Sequence, residues 1–142
     1  MKALLLLCLL FPLQEPPKVT VYVIESTRAK TIGRKTFPVY VDESQVCDLD
    51  GGRYVALSLP VGEHTFHSKS KKKGGIALDL KAGETYYLRL SVEEGAYFLR
   101  DGGISLLPKE EGLYSLKQMK PINMKDVKNP AIVDQSQTER HE

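Results

Sequence analysis

Between residues 18 and 107 apolar side chains return at every second position. Val19, Val21 and Val23 alternate with Thr20, Tyr22 and Ile24, and Phe37, Val39 and Val41 with Pro38, Tyr40 and Asp42. The same rhythm runs through Val55, Leu57 and Leu59, through Ile76, Leu78 and Leu80, and through Tyr86, Leu88 and Leu90. Successive side chains of a strand leave on opposite faces, so a period of two gives each segment one face for an interior and one for solvent. Shorter strands are expected near Ser44–Leu49, Glu63–Lys69, Ala96–Arg100 and Ile104–Leu107. Turn-forming residues fall between them: Asp50-Gly51-Gly52, Pro60-Val61-Gly62, Gly74-Gly75, Ala82-Gly83 and Asp101-Gly102-Gly103. Strands of this length and spacing predict an all-β fold, an antiparallel β-sandwich of roughly seven to nine short strands. One C-terminal helix is expected over Lys109–Lys120. Leu113, Leu116 and Met119 would form its buried stripe, Gly112 weakens it, and it would cover a sheet edge or one end of the sandwich.

Both ends of the 142-residue chain depart from this pattern. Residues 1–14, MKALLLLCLLFPLQ, place Lys2 before an unbroken apolar run from Ala3 to Phe11, the form of an export signal or N-terminal anchor. No small-x-small cleavage site follows. Processing is then atypical, or the start lies upstream, or the segment stays attached as an anchor. Residues 15–18 are a Pro-containing spacer, 19–120 the sandwich domain with its helix, and 121–142 a polar tail without periodicity, expected to be mostly disordered or else a contact segment. With Cys8 inside the leader, Cys47 is the one thiol left to a processed domain, which must then rely on its apolar core rather than a disulfide.

The search for chemistry returns little. His64 and His67 are three apart in an expected strand, so they leave on opposite faces and do not share an ion; His64 reads as a hydrogen-bonded turn residue. Asp48-x-Asp50-Gly51 lacks the remainder of a calcium loop and reads as a turn. Cys47 has no neighbouring cation to lower its pKa. No serine elbow and no phosphate loop are present, and Glu93-Glu94 and Glu110-Glu111 read as solvated surface. No catalytic, cofactor or metal residue is therefore assigned, and no cofactor is expected. Twenty basic residues against 18 acidic ones give a net charge of +2, too small an excess for a dedicated nucleic-acid partner.

Two basic clusters remain: Arg28, Lys30, Arg34 and Lys35 in one loop, and Lys69, Lys71, Lys72 and Lys73 in another. They keep loops soluble and strand edges unsociable, or, if both face one way, form a patch for anionic envelope material. Tyr40, Tyr54, Tyr87 and Tyr97 are candidates for an exposed aromatic platform, since outward-facing rings stack on sugars.

The order of several short segments resembles a bacterial family of exported proteins and lipoproteins, domain of unknown function 2846. The segments are Val21-Tyr22-Val23, Val39-Tyr40-Val41-Asp42, Gly52-Arg53-Tyr54, Leu59-Pro60-Val61-Gly62-Glu63-His64-Thr65 and Leu78-Asp79-Leu80-Lys81-Ala82-Gly83-Glu84-Thr85-Tyr86-Tyr87-Leu88. The resemblance spans roughly residues 19–120. Glu43 follows Asp42 where that family usually has Gly, and the leader has no proper lipid-attachment site. The resemblance implies export and no mechanism. The expected role is a non-catalytic domain of the periplasm or cell envelope, structural or protein-binding, with membrane association only through residues 1–14. A glycan- or small-ligand-binding module is the alternative, and a hydrolase a weaker one.

Overall fold

The structure is a computed structural model that describes residues 16–25, 36–68, 75–94 and 99–137; for 92–94 and 99–102 it describes the backbone alone. Its strands are β1 (Lys18–Glu25), β2 (Thr36–Val41), β3 (Ser44–Asp50), β4 (Arg53–Pro60), β5 (Gly62–His67), β6 (Ile76–Leu80), β7 (Thr85–Glu94), β8 (Leu99–Leu107) and the two-residue β9 (Lys120–Pro121). One helix, α1 (Lys109–Gln118), lies between β8 and β9. The strands form a five-stranded sheet, β8-β7-β1-β4-β9, and a four-stranded sheet, β3-β2-β5-β6. The expected β-sandwich with a single helix is therefore the observed architecture.

Alternation builds the interior. Val19, Val21, Val23, Val55, Leu57, Leu59, Leu88 and Leu90 from the larger sheet meet Phe37, Val39, Val41, Leu49, Phe66 and Leu80 from the smaller, all buried in one cluster. Pairing follows the pattern, with Val19↔Leu59, Val21↔Leu57 and Val23↔Val55 across β1 and β4. Most pairs are antiparallel, but β1 runs parallel to β7 and β4 parallel to β9. The parallel pair arises because β1 is inserted between β4 and β7, strands far from it in sequence.

Turn residues meet specific backbone needs. Gly52 takes φ +78° between β3 and β4, and Gly62 takes φ +119° after Pro60, a region open to glycine and strained for other residues. One expected turn is not a turn. Asp101-Gly102-Gly103 lies inside β8, which replaces the two separate strands expected there. Ser91 pairs with Gly103 and Val92 with Asp101, so Gly102 is the extra residue of a bulge and Gly103, at φ +102°, absorbs the distortion.

The helix also departs from expectation. It covers neither an edge nor an end but lies on the outer face of the larger sheet, over Tyr87. Its buried residue is Gly112, while Leu113 is 41% exposed. Leu116 and Met119 pack with Tyr22 against Ile24, Tyr54, Tyr87 and Leu107, a second small core outside the sandwich. The stripe is therefore 112, 116, 119, set by how closely the helix backbone approaches Tyr87.

The largest correction concerns residues 121–142. The described part, through Gln137, is a packed strap. Ile122 and Val133 are buried, and Val127 and Ile132 pack against the main core. Three short 3-10 turns, Met124–Asp126, Pro130–Ile132 and Gln135–Gln137, carry the chain between contacts. The strap crosses both sheets: Val127 bridges to Cys47 on β3, and Val133 to Leu57 on β4. An aperiodic sequence suits disorder, but isolated apolar residues also suit a contact segment that touches a preformed surface at intervals, and the described part takes that second form.

Candidate functional site

Several described polar groups converge at Asp42, the first of the two residues between β2 and β3. Its φ of +55° makes it the one described non-glycine residue in the left-handed region, where short polar side chains are tolerated best. That conformation aims the carboxylate back at β5. Oδ1 accepts from the Thr65 amide at 3.0 Å, and Oδ2 from His64 Nδ1 at 2.9 Å. The Asp42 amide donates to the Thr65 carbonyl at 2.8 Å, and the Asp42 carbonyl accepts from His67 Nε2 at 2.8 Å. The two histidines are on opposite faces of β5, as alternation dictates, yet both are tied to Asp42, one by its side chain and one by its backbone.

His64 is held at both ends. Nδ1 meets the carboxylate, and Nε2 lies 2.9 Å from the Pro60 carbonyl at the end of β4. Both partners only accept, so the ring makes both bonds together only as the doubly protonated imidazolium. A base oriented by a carboxylate needs its second nitrogen free for substrate. Here a structural carbonyl occupies it. His67 is buried, and its ring stacks on Tyr40 at 5.0 Å between centroids. Asp42, Glu43, Ser44, Glu63 and Thr65 line an open depression beside this cluster.

Partial burial pushes the Asp42 carboxyl upward, but the hydrogen bonds from His64 and Thr65 and the His64 charge outweigh it and hold it below its ordinary value of 3.8. A depressed carboxyl contributes stability that is present above the unfolded-state value and is lost as pH falls through the folded one. The carboxylate is 53% exposed, so solvent screening limits that contribution to a fraction of about 1 kcal/mol. Side-chain NMR should find Asp42 titrating below 3.8 and moving upward in His64→Leu. An unchanged midpoint in the variant would show that the clasp has no electrostatic weight.

The thiol is not poised for chemistry. Cys47 is fully buried on β3; burial, with the Asp48 and Asp126 carboxylates nearby, pushes it up to about 12. Thiolate, the reactive form, is scarce there at neutral pH. Among the described residues no three His, Cys, Asp or Glu side chains gather as a metal site. No described helix is long and apolar enough to cross a membrane.

The aromatic platform is not assembled. Tyr54 and Tyr87 are buried, and burial pushes both phenols up. Tyr22 stacks on Tyr87 at 5.5 Å and meets Tyr54 edge-on at 6.1 Å, so these rings form the small core beneath α1. Tyr40 is half-buried on the other sheet. Alternation places Tyr87 on an outer face correctly; it does not reveal that a helix returns to cover that face. Tyr86, its neighbour on β7, is a turn clamp. Its hydroxyl accepts from the Lys81 amide at 3.0 Å and reaches Glu84 at 2.9 Å across the Ala82-Gly83 turn. Tyr97, Arg28, Lys30, Arg34, Lys35, Lys71, Lys72 and Lys73, together with residues 1–14, lie outside the described residues.

The sequence missed the central role of Asp42. A usable signal was present: a residue flanked by Val41 and Glu43, at a strand end where a glycine-like conformation is needed, with two histidines of opposite parity downstream. Comparison with known proteins found no matching family model, no matching curated protein and no matching solved structure.

Proposed function

We propose that this chain is a non-catalytic domain of the cell envelope that serves as a structural or protein-interaction module. One observation carries the reading. The two described histidines and the described thiol are committed to holding the fold: His64 between Asp42 and Pro60, His67 against the Asp42 carbonyl and Tyr40, Cys47 in the main core. Such a domain acts through its surface, by what adheres to it. Export rests on Lys2 and the apolar run after it, and the resemblance to exported proteins of domain of unknown function 2846 belongs to the same proposal. The burial of Tyr54 and Tyr87, two of the four rings considered for a glycan platform, favours this reading over the glycan-binding alternative.

In-cell crosslinking with several chemistries, followed by affinity capture of the full chain, is expected to recover one definite envelope protein in stoichiometric yield. Fractionation of the same cells, with mass analysis of the mature N-terminus, is expected to place the chain in the periplasm or envelope. Recovery in the cytosol, or turnover of a substrate by the purified chain, would overturn the proposal.

A further inference from the structure

The strap is attached to the sandwich more sparsely than the long strands are to one another. β1 and β4 pair over all eight residues of β1, although β2 and β5 share only two pairs. Beyond the two-residue β9, the strap is held by spaced bonds: the Ile122 amide to the Tyr54 carbonyl at 2.8 Å, Lys128 and Asn129 both to the Val46 carbonyl at 2.7 and 3.0 Å, and Asp134 to the Ala56 carbonyl at 2.8 Å. The bonds between these points close turns within the strap and need no sheet: Asp126 to Asn123, Val127 to Met124, Val133 to Pro130 and Gln137 to Asp134. Of its side chains, only Ile122 and Val133 are fully buried. An ion pair between strap and sheet, Lys128 with Asp48, spans 3.7 Å between partly exposed groups.

Regions with few buried apolar contacts and isolated backbone bonds open at lower free energy than the fold as a whole. Because the strap keeps its own turns, lifting it breaks few bonds.

We propose that residues 122–137 are a latch, lifting from β3 and β4 as one unit while both sheets remain folded, and thereby uncovering the Val46 edge of β3 and the Cys47 thiol beside it. In the closed state the occupant of that edge is this chain's own strap. The bulge between Val39 and Tyr40 marks the place, since it leaves Val46 as the extra residue on β3 with its carbonyl turned to the strap. Val127 of the strap bridges Cys47 through the backbone, and Asp126 is close enough to affect the thiol, so lifting takes a neighbouring strand segment and a carboxylate away from Cys47.

The test uses the full chain under native conditions. A thiol reagent is added over a series of low urea concentrations, and peptide-resolved mass analysis separates Cys47 from Cys8. Amide exchange is read in parallel. Cys47 is expected to react at least tenfold faster than global unfolding allows, with little dependence on urea. The Ile122, Lys128, Asn129 and Asp134 amides should exchange together and well before those of Val21 and Val23. Val133→Ala should speed Cys47 labelling at least fivefold while leaving the exchange of Val21 and Val23 nearly unchanged. The proposal is overturned if Cys47 labelling and the strap amides merge with the core amides at every urea concentration. A Val133→Ala chain that unfolds globally would leave the wild-type comparison to decide.

Discussion

Gly112→Ala is expected to destabilise the protein by about 2 kcal/mol, although alanine is the better helix former. In an exposed helix the change would contribute about 1 kcal/mol of stability. Here a β-carbon built on Gly112 would lie 2.3 Å from Tyr87 Cγ and 2.5 Å from Cβ and Cδ1. Real β-carbons do not approach so near, and Tyr87 has little room to yield. Its ring is stacked on Tyr22 and enclosed with Ile24, Tyr54 and Leu107. Either α1 lifts, exposing those rings, or Tyr87 leaves its packed position. Urea denaturation gives the measurement. The diagnostic control is the cycle with Tyr87→Ala, which removes Cγ and Cδ1 and should recover part of the Gly112→Ala loss. A more stable single variant would mean that α1 does not rest on this ring.

The second large effect is expected at Phe66. It is the largest fully buried side chain, on β5, where it pairs with Val41 on one side and Ile76 on the other. Phe66→Ala removes a ring from the centre of a close-packed interior and leaves a cavity, for an expected loss of about 3–5 kcal/mol. Domains of this size hold only about 5–15 kcal/mol in total, so the variant should melt far below the parent or fail to fold. Phe66→Leu, which keeps most of the volume, should lose about 1–2 kcal/mol and remain folded, making the size dependence readable. Equal and small losses for both would place the interior elsewhere.

The two variants probe two cores of different origin. Phe66 belongs to the interior between the sheets, which the alternating residues foretell. Tyr87 belongs to the small core outside the larger sheet, which exists only because α1 folds back over it. The reading of Tyr54 and Tyr87 as surface rings failed at that second step, since a strand's outer face is defined by the sheet alone until something packs against it. Gly112 shows the same limit from the helix side. Read locally it weakens α1; in the folded chain its missing side chain lets the helix seat on Tyr87.

The parity of each strand was legible because it is a local property: neighbouring residues on a pleated backbone must point in opposite directions, whatever the partner. Val19, Val21 and Val23 face inward for that reason, and His64 and His67 diverge for the same one. Partners are not local. The insertion of β1 between β4 and β7, the meeting of Asp42 with His64, and the seating of Ile122, Val127 and Val133 on the sheets each join residues far apart in the chain. Their fit depends on surfaces that do not exist until the sandwich has formed. The strap is the clearest instance, for its apolar residues follow the spacing of the sites beneath them rather than any period of their own.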